Sequence, residues 1–509
     1  MIDFFENDFL PILKGDNDIL LESKVGLEKE SFRIAGTKIS NISHQEVLGS
    51  SLYHPHITTD FSESQIEFIT PPFPHNIEVI TFLEDLHNYV SNNIESEYLW
   101  PLSFPPNISN EDEIRIANYG NSNLAHLKTL YRKGLAFRYG KLMQSISGIH
   151  FNFSFSDKFW NHDIFSEKDN NEKNLKSCLY FKMIRNLQRM NWLIIYLYGA
   201  SPFIPKSFMK SIDVDHTKRG NDYYFPYATS LRMSSLGYRN LLQSKLAVST
   251  NSLEEYIKDL SRLLQQPSQS YQDGIADFSR NAQQINSNII QIEAEYYASF
   301  RPKSKDTVPR PILSLKKNGV DYIEVRSLDV NPFSRIGIRQ EDMDLMEIIL
   351  VYSALSSSPK IMAQEEKLNK ENSMFVSTEG RKPGLKINYQ NKRKEMKDCA
   401  LELLDQMIPI ASSMNKEYAL EKAVEKVLNP EMTPSGMLIE KFLSDTKSID
   451  ELGLELSQRN KKYYYQNKLS KEKDKFLTDL ASKSLLTQGK NEKAESESFH
   501  SFCRNYLEI

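Results

Sequence analysis

Positive charge is not in surplus in this sequence. Lys and Arg number 63 against 67 Asp and Glu, a formal net charge of −4, so nothing is spare to neutralise a nucleic-acid backbone, and no such partner is expected. Cysteine is scarce: Cys178, Cys399 and Cys503 are odd in number and far apart. That usage suits a reduced compartment and gives neither a disulfide framework nor zinc-finger spacing. Each is expected to be a buried or surface thiol, since none has a catalytic context. Long apolar runs are missing too. The longest, around Trp192–Ala200, is far too short to cross a bilayer. Met1–Glu6 lacks the basic and apolar regions of a secretory signal. The expectation is a cytoplasmic protein with no membrane partner. Neither a Walker A loop nor a Gly-rich dinucleotide fingerprint occurs, so any nucleotide must be held by another architecture. No internal repeat and no long linker break the text.

What is present is ordinary for a folded chain. Hydrophobic residues make up 40% and charged residues 26% of 509 positions, enough to bury a large core. Helical spacing of apolar residues runs through the first 25 positions, Phe73–Asn93, Leu179–Tyr198 and Ser252–Gln265, and resumes from about Asp342. A Gly/Pro turn interrupts it at Glu379–Gly384. The charged runs Asn391–Lys394 and Lys461–Gln488 are expected to be solvated helix faces. Strand-like text lies between these segments, at Gln144–Phe155, Ala282–Tyr297 and Gly319–Val330 as well as within residues 26–75. The class predicted is α+β, with strands pairing across long separations.

Chemistry concentrates on those strands. In Gly26-Leu27-Glu28-Lys29-Glu30-Ser31-Phe32, Glu28 and Glu30 share a strand face with Cα atoms about 6.5 Å apart. Two bare carboxylates about 7 Å apart repel by roughly 2.4 kcal/mol at an effective dielectric of about 20. One such pair is weak evidence, because a solvated edge strand would screen it. The pattern recurs, however. Glu63, Gln65 and Glu67 are expected on one face, opposite Ile66 and Phe68. His150, Asn152 and Ser154 oppose Ile149, Phe151, Phe153 and Phe155. Tyr322, Glu324 and Arg326 oppose Ile323 and Val325, and a fifth strand would align Gln284, Asn286 and Asn288. Such strands suit an antiparallel sheet curled around a polar cavity, with helices on its outside. Several acids facing one cavity call for divalent cations. Mg²⁺ takes hard oxygen ligands and keeps positions open for phosphates, whereas zinc would favour more His or Cys ligands than His150 alone. Arg326, two residues after Glu324, suits stabilisation of a transferring phosphoryl group.

These same strands resemble the bacterial glutamate–cysteine ligases of the long, single-function type. The matching text runs in order through GLEKESFRI (26–34), LGSSLYHPHITTDFSESQIEFITP (48–71), LKTLYRKGLAFRYGKLMQSISGIHFNFS (127–154) and YLYGASP (196–202). It continues through YYFPYATSLRMSSLGY (223–238), QINSNIIQIEAEYY (284–297), YIEVRSLDVNPFSRIG (322–337) and EGRKPGL (379–385). Residues 121–127, residues 203–222 and the tail beyond Leu385 depart from the family text.

The resemblance implies a glutamine-synthetase-like core, a curved antiparallel sheet forming a funnel surrounded by helices. It also implies ATP-dependent joining of the γ-carboxylate of L-glutamate to L-cysteine through a γ-glutamyl phosphate, the first step of glutathione biosynthesis. Carried over residue by residue, Glu28, Glu30, Asp60, Glu67, His150 and Glu324 would ligate more than one Mg²⁺ or Mn²⁺ ion. Arg132 and Arg326 would contact phosphate, and Arg232 the α-carboxylate of glutamate. Phe61, Tyr131, Leu135, Gln144, Tyr238 and Tyr297 would form the cysteine pocket. The expected division is a catalytic core over 1–385 and a mainly helical region over 386–509, too short for an added ATP-grasp module. The chain is expected to act as a monomer. Rival readings are a glutamate ligase using another amine, a catalytically silent nucleotide- or thiol-binding relative, and a kinase that stops at the phosphorylated carboxylate.

Overall fold

The structure, a computed structural model, describes residues 20, 22–165, 172–211, 216–237, 248–279, 281–305 and 310–508. The expected N-terminal helix falls almost wholly outside them. Six strands form the central sheet: β1 (Lys24–Ala35), β2 (Ile57–Thr59), β3 (Gln65–Ile69), β4 (Ile149–Ser154), β5 (Phe300–Lys303) and β6 (Tyr322–Leu328). Their order is β5-β6-β4-β1-β3-β2, with the short strands Lys38–Ile39 and Tyr98–Leu99 added to β1. Every pairing is antiparallel. This is the α+β class read from the sequence, and the sheet is open at β5 and β2.

Alternation decides which face is which. Leu27 on β1, Ile66 and Phe68 on β3, Ile149, Phe151 and Phe153 on β4, and Ile323 and Val325 on β6 are all buried in one apolar cluster. Helices α1 (Asn76–Asn93), α2 (Asn123–Tyr139), α3 (Glu172–Tyr198), α4 (Gln340–Leu355), α5 (Ala363–Glu379) and α6 (Lys471–Ala494) surround the sheet. α3 packs on β5 and β6 and against α4 and α5, and joins the same cluster. Asp342–Leu355 of α4 are all buried, as expected of a helix enclosed on every side. The polar faces of the strands are thereby left to a cavity.

Three expectations fail locally. The run Asn391–Lys394 is not helix: Lys386–Tyr389 and Lys392–Glu395 form a hairpin around Gln390 and Asn391, whose φ values are +49° and +60°. Two left-handed residues between paired strands are the twist-matched hairpin turn, and Asn tolerates that region better than most residues. The helix expected over Lys461–Gln488 is two, ending at Gln466 and restarting at Lys471. Finally, Gln284–Ile289 forms no strand. Its amides bond locally instead: Gln284 Nε2 donates to the Tyr271 carbonyl, Asn286 Nδ2 to that of Gln291, and Asn288 Nδ2 to that of Leu264. Side-chain amides that satisfy nearby backbone compete with ladder formation.

The C-terminal region docks on the rest of the molecule. Ile387, Met396, Cys399 and Leu404 belong to the sheet's own cluster. Glu492 on α6 accepts from the Asn121 backbone N–H at 2.7 Å and Glu495 from that of Asn123 at 2.6 Å. Both acids sit at the N-terminus of α2, where the helix dipole favours negative charge.

Candidate functional site

The concave face of the sheet lines a cavity of about 640 Å³. Cross-strand register assembles its floor: Glu28 pairs with His150 across β1–β4, and Glu30 with Glu67 across β1–β3. Directly opposed residues in an antiparallel ladder project to the same side, so four polar groups far apart in sequence converge. Glu324 and Arg326 join from β6. The pairing of β6 with β4 shifts register between Val325 and Leu328, a bulge of the kind that bends a strand beside a site.

The contacts are close. Asn152 Nδ2 donates to Glu28 Oε1 at 3.0 Å, and His150 Nδ1 lies 3.0 Å from Glu28 Oε2. A carboxylate can only accept, so Nδ1 carries the hydrogen and the neutral ring turns the lone pair of Nε2 outward, 3.6 Å from Glu30 Oε1. The Gly148 N–H donates to Glu30 Oε2 at 2.8 Å. Arg326 Nη1 lies 3.3 Å from Glu324 Oε2, and Lys303 Nζ 3.5 Å from Glu324 Oε1.

Electrostatics divide the acids into two kinds. Burial, followed by the charge of Asp60, pushes the Glu30 carboxyl up to about 8. Burial, followed by Glu28, Asp60 and Glu30, holds Glu67 well above the usual carboxylate range. Glu324 is equally buried, yet Lys303 and Arg326 outweigh that and keep it well below the range. Burial, followed by the Arg326 charge, lowers the His150 imidazole, which keeps it neutral as a metal ligand must be. One ligand atom each from Glu28, Glu67 and His150 lies within 4.8 Å of the others. Hard oxygen donors that repel one another around a single imidazole fit a divalent cation of the Mg²⁺ or Mn²⁺ kind.

The placement of the expected site residues is nearly complete. Glu28, Glu30, Asp60, Glu67, His150, Glu324, Arg132, Arg326, Phe61, Tyr131, Leu135, Gln144 and Tyr297 all line the cavity. Tyr131, Arg132 and Leu135 come from α2, whose Arg132 Nε donates to the Asp60 carbonyl and lies over the Tyr119 ring. Tyr238 lies outside the described residues. Arg232 does not line the cavity. It is buried behind the floor, where Nη2 donates to the Arg326 carbonyl at 2.9 Å and Nη1 lies 3.6 Å from Asp329. A Cβ on Gly148 would meet its Nη2 at 2.1 Å. Glu63 also leaves the polar face, because a turn at residues 61–64 breaks the alternation before β3 begins. It accepts instead from the backbone N–H groups of His44 and Asn118.

Two cavity cations on the sheet escaped the reading of the sequence. Arg301 and Lys303 sit on β5, whose text Phe-Arg-Pro-Lys buries Phe300 and Pro302 and turns the two basic residues to the cavity. That alternation was legible, but four residues are a short signal. A third miss is the network that fastens α2 to the irregular segment 284–297. Arg138 Nη1 lies 2.8 Å from Glu295 Oε1, Tyr139 Oη donates to the same oxygen at 2.6 Å, and Gln291 donates to Glu295 Oε2. No periodicity announces it.

Known proteins resemble this chain along most of its length. The profile of the glutamate–cysteine ligase family matches residues 11–376. A protein named glutamate–cysteine ligase from Alcanivorax borkumensis is 39% identical over 500 residues, covering 95% of each chain. One from Aliivibrio fischeri is 40% identical over 443 residues, covering 84% of each. Among solved structures, a glutamate–cysteine ligase from Francisella tularensis in complex with AMP superposes with a TM-score of 0.90 at 33% identity, covering 96% of this chain and 97% of that one. A bifunctional glutathione synthetase from Pasteurella multocida gives 0.73 at 25% identity over 90% of this chain and 55% of its own. The fold is thus of the glutamine-synthetase-like kind that the resemblance implied.

Proposed function

The chain belongs to the glutamate–cysteine ligase family, and we propose that the acid-lined cavity is where it carries out that family's reaction. The enzyme joins L-glutamate to L-cysteine at the expense of ATP, giving γ-glutamylcysteine in glutathione biosynthesis. The observation that carries the assignment of the site is the convergence of Glu28, Glu30, Asp60, Glu67, Glu324, His150, Arg132 and Arg326 on the cavity at the concave sheet face.

Glu28, Glu30, Asp60, Glu67, His150 and Glu324 would hold Mg²⁺ or Mn²⁺, more than one ion. When bound, such ions neutralise the acids and orient the phosphates of ATP. Arg132 and Arg326 balance charge on the transferring phosphoryl group. Arg232, which stands behind the floor beneath Gly148, would hold the α-carboxylate of glutamate once its guanidinium turns to the cavity. In the cavity a γ-carboxylate oxygen of glutamate attacks the terminal phosphorus of ATP, and the bond to the ADP oxygen breaks. The cysteine amine then attacks the acyl carbon of the γ-glutamyl phosphate, loses a proton and expels phosphate. Phe61, Tyr131, Leu135, Gln144 and Tyr297, with Tyr238, would enclose the cysteine. Their apolar walls keep water from the acyl phosphate.

We propose that the protein acts as a monomer, and no helix among the described residues is long and apolar enough to cross a membrane. We place the protein in the cytoplasm on its cysteine usage. We keep the division into a core over 1–385 and a helical region over 386–509 packed on it. An ADP-release assay with glutamate and a panel of amines, with mass detection of γ-glutamylcysteine, tests the acceptor. Turnover with another amine far above that with cysteine would reject it.

A further inference from the structure

Glu324 is flanked by two cations among the described residues, and they differ in kind. Arg326 stands on the same strand, its guanidinium fixed beside Glu324 Oε2. Lys303 stands on the edge strand β5 and reaches across to Oε1 at 3.5 Å, beyond the usual length of a charge-assisted hydrogen bond. The Lys303 side chain is 32% exposed to the cavity while that of Glu324 is 1% exposed. The other cavity cations are tied down: Arg301 donates to the carbonyls of Ala294 and Tyr296, Arg132 to those of Asp60 and Lys128, and Lys370 to Glu366. Lys303 has a flexible stem and Glu324 as its salt-bridge partner among the described residues.

We propose that Lys303 occupies the cation's place at Glu324 while nucleotide is absent, and passes to the polyphosphate when nucleotide and divalent cation enter together. The inference rests on the reading of Glu324 as a metal ligand. An ion ligated at about 2.1 Å from Glu324 would lie within a few ångströms of the ammonium as it now stands. The two positive charges would repel at short range beside the buried Glu324 carboxylate. Either the ion stays weakly bound or Lys303 leaves, and the phosphate oxygens supply the anion that it leaves for. Lys303 therefore couples the two ligands: it opposes the ion alone and favours the ion with nucleotide.

The test is Mn²⁺ binding to the full-length, nucleotide-free protein, read from the EPR signal of free Mn²⁺, for wild type, Lys303→Gln, Lys303→Ala and Lys303→Arg. Circular dichroism checks folding, and two neutral variants are used so that misfolding of one leaves the other. Both neutral variants should bind Mn²⁺ about ten-fold tighter than wild type, and Lys303→Arg should stay close to wild type. Adding a non-hydrolysable ATP analogue should tighten Mn²⁺ binding in wild type by a larger factor than in either neutral variant. Mn²⁺ affinity in the neutral variants equal to or weaker than that of wild type overturns the inference alone. If wild type binds no Mn²⁺ with or without the analogue, the metal reading falls and this inference falls with it.

Discussion

Loading the site with a divalent cation should release protons, and their number follows from the two raised carboxyls. Burial and the Asp60 charge hold the Glu30 carboxyl near 8, so in the cation-free protein it carries about nine-tenths of a proton at pH 7 and about one-tenth at pH 9. Glu67, well above its usual range, can contribute a second. Glu324 is ionised and His150 neutral at pH 7, so neither adds to the count. A ligand must be deprotonated to bind the ion. Raising the pH therefore removes the competing proton and strengthens binding, until the raised carboxyls have ionised. Titration calorimetry with Mg²⁺ in buffers of different ionisation enthalpy should thus report between about one and two protons released at pH 7. Glu30→Gln should release about one fewer. Apparent affinity should fall by about ten- to a hundred-fold per pH unit below pH 7. A binding heat independent of buffer at pH 7, or an affinity flat from pH 6 to 8, would refute the reasoning.

Three further outcomes are expected. Glu28→Gln keeps the size of the side chain but removes one of the three clustered ligand groups, so turnover should fall by at least about a thousand-fold with an unchanged circular dichroism spectrum; near-normal activity would contradict the ligand role. Gly148→Ala places a Cβ 2.1 Å from Arg232 Nη2 and must displace that guanidinium, so the KM for glutamate should rise much more than that for ATP; equal effects would mean that Arg232 does not serve glutamate. Lys29 turns into the apolar side of β1, where its Nζ meets His87 Nε2 at 3.1 Å and burial lowers its ammonium to about 7. Above pH 7 the unfolded chain holds that proton and the folded one does not, so this group makes stability rise with pH up to about 10. Lys29→Met should accordingly stabilise the protein by about 1–3 kcal/mol at pH 7, with the advantage shrinking toward pH 10 in thermal melts; a destabilised variant would refute this.

Much of the fold was legible because alternation is local. Ile149, Phe151 and Phe153 declare one face of β4 and His150 and Asn152 the other without reference to any other strand. The same holds for β6 and for the Glu28–Glu30 pair. Where local rules compete, legibility stops. Gln284, Asn286 and Asn288 alternate as a strand would, yet their amides find backbone carbonyls within the segment, in a short helical turn and in the last turn of a preceding helix. Glu63 alternates with Glu67, yet a turn intervenes. The hairpin at Gln390–Asn391 lacks the Asn-Gly that usually marks such turns.

From the sequence alone come the α+β class, the lack of any charge surplus for nucleic acid, and the grouping of Glu28, Glu30, Glu67, His150 and Glu324 on polar strand faces. Composition and the period of two are properties of short text, and both survive folding. The tertiary structure alone decided that these faces enclose one cavity, that Glu30 and Glu67 share a raised pKa while Glu324 does not, that Arg232 lies beneath the floor, and that Lys303 reaches Glu324. Each depends on distances between residues separated by tens to hundreds of positions. Those distances are fixed by strand register and helix packing, and Coulomb energies and burial follow from them.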